Sequence, residues 1–209
     1  MKKIKYLILA FLLLFSFHNT FGQNSGNYQL IIDGDTLSIN LDEAVEYKGA
    51  KGKKMNILLR EADIKTYVDD MVSFQYRKGN GVSNTVIEEG IEQCMIMKST
   101  GSGFMVQKYK TLDPSALTRF MLAEITKESV SYGYEKTEED FEHTLESGQT
   151  LKGVTATLTY RGEKEIYTVA SYGEKDHGIM VVTMLLVEDF ADGDKPMIDL
   201  FLNTLQILE

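Results

Sequence analysis

Over much of the chain, apolar and polar positions alternate. Val72, Phe74 and Tyr76 alternate with Ser73, Gln75 and Arg77. Val154, Ala156, Leu158 and Tyr160 alternate with Thr155, Thr157 and Thr159. A period of two predicts strands with one wet face. In YQLIIDGDTLSINL, residues 28–41, Asp33-Gly34 divides two such runs and predicts a hairpin, because glycine accepts positive φ at little cost. AVEYK, MNILLRE, VSNTVIEEG, IEQCMIMKS and FMVQKYK are further strand-like segments. Arg161-Gly162-Glu163 turns the chain into a strand over 166–172, and Gly173 to Gly178 is the next turn. The run IMVVTMLLV, residues 179–187, is apolar on both alternating faces. That is the pattern of a central strand covered on both sides, and the run is too short to cross a bilayer as a helix. Leu185 then belongs to the core, where truncation to alanine costs about 2–5 kcal/mol.

Helical spacing emerges in three places. Asp113-Pro114 starts a helix over 114–129, with aspartate as cap and proline in the first turn. Leu117, Phe120, Met121 and Ile125 form its apolar stripe. A weaker helix is expected over Thr137–Leu145. A terminal helix begins near Asp194-Lys195-Pro196 and buries Met197, Leu200, Phe201 and Leu205. Strand runs with segregated helices predict an α+β fold: a mostly antiparallel sheet flanked by helices, with an N-terminal hairpin extension.

The order of elements resembles the PsbP-like family. VSFQYR is followed by a hairpin with FMVQKYK, a helix beginning DPSALTRF, a TATLTY–IYTVASY–IMVVTMLLV meander and a closing helix, MIDLFLNTLQIL. The likeness covers about residues 67–208. It implies an α-β-α sandwich and an accessory role, often on protein partners. It is a likeness of layout and carries over no functional residue. The expected organisation is a cleaved leader over 1–22, a hairpin and strand region over 23–66 packed on the core, and an α+β core over 67–209.

The leader reading rests on Lys2, Lys3 and Lys5, the apolar stretch Tyr6–Phe17, and Thr20-Phe21-Gly22 before Gln23. That is the pattern of a secretory signal cut near Gly22/Gln23, so a periplasmic or secreted protein is expected. The net charge is −9, and removing the three leader lysines leaves about −12. An acidic surface disfavours nucleic acid and anionic lipid and favours a basic partner. The single Cys94 forms no intrachain bridge, so an apolar core must hold the fold. Cys94 itself reads as a buried, inert thiol.

Each candidate for chemistry has a plainer reading. Asp33 and Asp35 lack the downstream ligands of a calcium loop, so they belong to the turn. Ser102, in TGSG, lacks the flanking glycines of a nucleophile elbow and the loop lacks a Gly-Lys-Ser/Thr ending. Glu138, Glu139, Asp140, Glu142 and His143 suggest a metal at helical spacing, against a solvated acidic face. His177 beside Asp176 has no serine or cysteine partner evident in sequence and reads as a turn residue. Asp189, Asp192 and Asp194 fit helix-start chemistry, with calcium the alternative. No catalytic, cofactor-binding or metal residue is assigned, and no cofactor. The expected function is an exported, non-enzymatic accessory or protein-interaction protein of the cell envelope. Tyr132 and Tyr134 near the acidic segment are candidate contact residues. The alternatives are a carrier of a small apolar ligand or lipid, lined by methionines such as Met95, Met97, Met105, Met180 and Met184, and third a carboxylate-based hydrolase.

Overall fold

Asp33 and Gly34 both adopt positive φ, 50° and 93°, and turn β1 (Tyr28–Ile32) back onto β2 (Asp35–Ile39). Two left-handed residues in a two-residue loop match the twist of an antiparallel pair. The computed structural model describes residues 26–49, 52–186 and 194–208; the leader expected over 1–22 and Val187, Asp189 and Asp192 lie outside them. The chain divides into two units, Met1–Glu61 and Ala62–Glu209. The first holds β1–β2 and a second antiparallel hairpin, β3 (Ala44–Lys48) with β4 (Lys54–Leu58).

The second unit is α+β. Its large sheet has seven antiparallel strands in the order β10-β11-β12-β13-β9-β8-β7. These are β7 (Ser83–Glu88), β8 (Ile91–Met97), β9 (Gly103–Tyr109), β10 (Glu135–Thr144), β11 (Thr150–Tyr160), β12 (Glu163–Glu174) and β13 (His177–Leu186). A smaller sheet joins β5 (Ile64–Val68), β6 (Val72–Arg77) and β14 (Gln206–Ile207). Two helices, α1 (Thr118–Tyr132) and α2 (Lys195–Thr204), pack on opposite faces of the large sheet.

β13 is the middle strand, and its alternation sorts the core into two layers. Ile179, Val181 and Leu185 join Val72, Phe74, Phe104, Val106 and Phe201 under β6 and α2. Met180 and Val182 join Val154, Val169 and Leu122 under α1. The doubly apolar run is therefore explained by cover on both faces. The α2-side layer is aromatic at its centre: Phe104 stacks on Phe201 at 3.8 Å, and Phe74 meets both edge-on, an arrangement that adds to simple burial.

Three expectations need correction. Thr137–Leu145 is not helical; Glu135–Thr144 is strand β10, paired in register with β11. It is an edge strand, where charge is tolerated because one side meets water. Only Lys136, Phe141 and His143 are partly sheltered. Glu139 and His143 stand about 13 Å apart along a strand, so helical metal spacing does not exist there. Next, Phe120 is 65% exposed and Leu117 37% exposed. A 3-10 turn over Pro114–Leu117 precedes α1, and the buried stripe is Thr118, Leu122 and Thr126, with Met121 and Ile125 beside it. The threonines hide this stripe from a hydropathy reading. Their hydroxyls bond Ser115 O and Leu122 O at 3.0 and 2.8 Å, so they are buried without loss. Finally, Asp194 does not cap α2 with its side chain; its buried carboxylate binds Lys98 and Thr100.

Candidate functional site

The aromatic surface at the end of α1 is built by two turns. Gly133, at φ 116°, terminates the helix and donates its N–H to Ser129 O and Val130 O. The left-handed conformation favours glycine there, and it sends the chain from Tyr132 to Tyr134. Across from them, Arg161 and Gly162 adopt φ 50° and 95° in the β11–β12 turn, which presents Tyr160. The three rings converge: Tyr132–Tyr160 and Tyr134–Tyr160 centroids are each 5.2 Å apart, and Tyr132–Tyr134 6.3 Å. The Arg161 guanidinium lies 5.1 Å from the Tyr160 ring centre. Tyr132 is 71% exposed.

This patch is held from behind. Tyr134 donates its hydroxyl to Glu163 at 2.8 Å, which pushes its phenol up to about 12. Ser129 and Tyr167 both donate to Glu165, at 2.8 and 3.0 Å. Rings ordered before contact lose less entropy on binding, and tyrosine with arginine is the composition of interface anchors. The sequence singled out Tyr132 and Tyr134; Tyr160 and Arg161 were missed, since both read as ordinary parts of a strand and turn.

A second region surrounds Lys108, an almost fully buried lysine on β9. Its ammonium meets Asp69 at 2.7 Å and Glu92 at 3.1 Å; Lys110 bridges Asp70 and Glu92 at 2.9 and 2.7 Å. Asp69 also accepts the amides of Met71 and Val72 and the Tyr67 hydroxyl. Burial pushes the Asp69 carboxyl up, but Lys108 and the two amides outweigh it and leave it below the usual range. Burial likewise opposes the Lys108 charge, and its carboxylate partners raise it regardless. Every member is paired, as a structural network requires.

Beside this network runs a groove of about 410 Å³, floored by Met71, Ile179, Ile207 and Leu208 and rimmed by Asp70, Lys110, Asp176 and His177. His177 is the first residue of β13, outside the two-residue turn Lys175-Asp176, and its Nε2 is 3.9 Å from Glu174. Lys110, 2.9 Å from Asp70, holds the Asp70 carboxyl below the usual carboxylate range. An open cleft of about 660 Å³ lies on the α1 side, with Ser115, Thr118, Arg119, Lys152 and Ser171 in its walls. Its cations are already engaged, Arg119 by Glu138 at 3.3 Å and Lys152 by Glu142 at 3.2 Å.

The remaining sequence candidates are structural. Ser102 is fully buried and accepts the Leu186 N–H at 3.0 Å. Asp35 accepts the Tyr47 hydroxyl at 2.9 Å. His143 Nε2 sits 3.0 Å from Leu202 O. Cys94 is buried, and burial pushes its thiol up to about 11. Met180 is fully buried, and Met105 and Met184 pack beside it in the core. Among the described residues, no helix is long and apolar enough to cross a membrane.

No family model and no curated protein matches the chain. Among solved structures, the chain is similar to a 1.50 Å crystal structure from Bacteroides thetaiotaomicron VPI-5482, with TM-score 0.36 and 10% identity. That match covers 71% of this chain and 50% of the other, so the chain spans half the length of the solved structure it resembles.

Proposed function

We propose that this is an exported, non-enzymatic accessory protein of the cell envelope, periplasmic or secreted, that binds a protein partner through Tyr132, Tyr134, Tyr160 and Arg161. The observation that carries the reading is the convergence of three tyrosines and an arginine at an exposed corner, with rings 5.2–6.3 Å apart. Packing of this kind inside a fold is unremarkable, but at a surface it leaves apolar area facing water that a partner would cover. The N-terminal leader pattern supports export, the acidic balance supports a partner with basic character, and the order of elements resembles PsbP-like accessory proteins. A photo-crosslinking residue at Tyr132 in intact cells tests this. One defined protein adduct is expected, lost when Tyr160 and Arg161 are both changed to alanine. No adduct, or one that the double substitution leaves unchanged, overturns the reading.

A second reading, a carrier of a small apolar ligand, is favoured by the groove floored by Met71, Ile179, Ile207 and Leu208. Its volume lies within the range of small-molecule sites. Native mass spectrometry of the purified protein distinguishes them: a co-purified small molecule lost in Ile207→Asp supports carriage, and a bare mass opposes it.

A further inference from the structure

Tyrosine hydroxyls meet carboxylates at several places: Tyr47 at Asp35, Tyr67 at Asp69, Tyr134 at Glu163 and Tyr167 at Glu165. Tyr134 adds to this a facing tyrosine ring. Glu135 pairs with Thr159, so the next step of the β10–β11 register sets Tyr134 opposite Tyr160. Directly opposed residues of an antiparallel pair hold their Cβ atoms about 5 Å apart. The two ring centres are 5.2 Å apart and the planes are tilted by 30°. That is close to offset stacking, with carbons of one ring over carbons of the other. Tyr132 meets Tyr160 edge-to-face instead, at 69°, and stands farther from Tyr134, at 6.3 Å.

We propose that Tyr134 and Tyr160 form an oxidative modification site, at which a one-electron oxidant such as a haem peroxidase joins the two rings as an intramolecular dityrosine. Each phenol gives one electron to the oxidant and loses one proton. The Tyr134 proton passes to Glu163, whose carboxylate already accepts that hydroxyl at 2.8 Å, within the reach of a general base. The Tyr160 proton leaves to solvent. The two phenoxyl radicals couple through ring carbons ortho to their oxygens and form one carbon–carbon bond. The hydrogen on each of those carbons then leaves as a proton and each oxygen regains one, which restores both phenols. With a peroxidase, two tyrosines and one hydrogen peroxide give one dityrosine and two waters. Coupling within the chain is favoured over coupling between chains, because the rings are already held together. The site needs no bound partner, so it stands apart from the interaction proposed for the same corner.

Treating the dilute purified protein with a haem peroxidase and hydrogen peroxide tests the proposal. Dityrosine fluorescence is expected in a species that keeps the single-chain mass on a denaturing gel. Peptide mapping by fragmentation mass spectrometry is expected to place the link between Tyr134 and Tyr160, two hydrogens lighter than the separate peptides. Tyr134→Phe and Tyr160→Phe should each lower the yield about tenfold or more, whereas Tyr132→Phe should leave most of it. Glu163→Gln keeps an acceptor for the phenol but removes the base, and should slow formation of the link without lowering the urea midpoint. If Tyr134→Phe does not fold, Tyr160→Phe decides. No dityrosine, a link found only between chains, a link through Tyr132, or a yield that neither phenylalanine variant lowers overturns it.

Discussion

Lys108 Nζ lies 2.7 Å from Asp69 Oδ2, and the lysine side chain is only 4% exposed. A buried cation of this kind needs its partners, because removing one member leaves the other charge desolvated and uncompensated. Lys108→Met is therefore expected to destabilise the α+β unit by about 3 kcal/mol, read as a fall in the urea midpoint. Asp69→Asn should also destabilise: its carbonyl can keep the Met71 and Val72 amides, but its NH2 replaces the oxygen that accepts from Lys108 Nζ and leaves that buried cation to Glu92. A Lys108→Met protein as stable as wild type would show that the pair contributes nothing net.

The same network sets the acid limit of stability. Asp69, Asp70 and Glu92 within it, and Asp194 beside Lys98 outside it, are all held below the usual carboxylate range. Lys110 lowers Asp70 and Glu92; lysines override burial at Asp69 and Asp194. A carboxylate lowered in the folded state contributes stability that is present above its unfolded pKa and is lost as pH falls through the folded value. The unfolding midpoint should hold through neutral pH and fall below about pH 4. Asp69→Asn should shallow that acid limb. An acid limb of unchanged steepness in the variant would place the responsible groups elsewhere.

Leu185 and Phe120 separate core from surface. Leu185 lies in the layer beneath α2, so Leu185→Ala should cost about 2–5 kcal/mol. Phe120 is 65% exposed, and Phe120→Ala should stay within about 0.5 kcal/mol. Chemical denaturation of the two variants checks both values. Comparable losses would mean that α1 turns Phe120 inward in solution.

That contrast shows what hydropathy can carry. The β13 run was legible because burial on both faces leaves a single polar residue, Thr183, within it. The Asp33-Gly34 and Arg161-Gly162 turns were legible because backbone handedness is written in glycine. The α1 face was misread because Thr118 and Thr126 bury with internally satisfied hydroxyls, so polarity and exposure part company. β10 was misread because at an edge the partner strand β11 supplies the order, and its own residues read as a charged helix. The candidate site was half legible. Tyr132 and Tyr134 are neighbours in sequence, but Tyr160 reaches them only through the pairing of Glu135 with Thr159, which no local pattern encodes.

Cys94 reports on the packing around that same buried lysine. Its side chain is fully buried, and burial first, with the Asp69 charge second, pushes the thiol up to about 11 while Lys108 opposes. Only the thiolate attacks an alkylating reagent, and a free cysteine near 8.5 is partly ionised at pH 8. In the folded protein the raised thiol is far less ionised at pH 8 than a free one, and its buried side chain is reached only on opening. Iodoacetamide should therefore label Cys94 orders of magnitude more slowly in buffer than in urea. Lys108→Met should accelerate native labelling, because opening of the β8–β9 region becomes easier as its charge network fails. Labelling at the free-thiol rate in the wild-type protein would contradict the burial. Acceleration by Lys108→Met without any fall in the urea midpoint would locate the network's effect in local opening and leave global stability untouched.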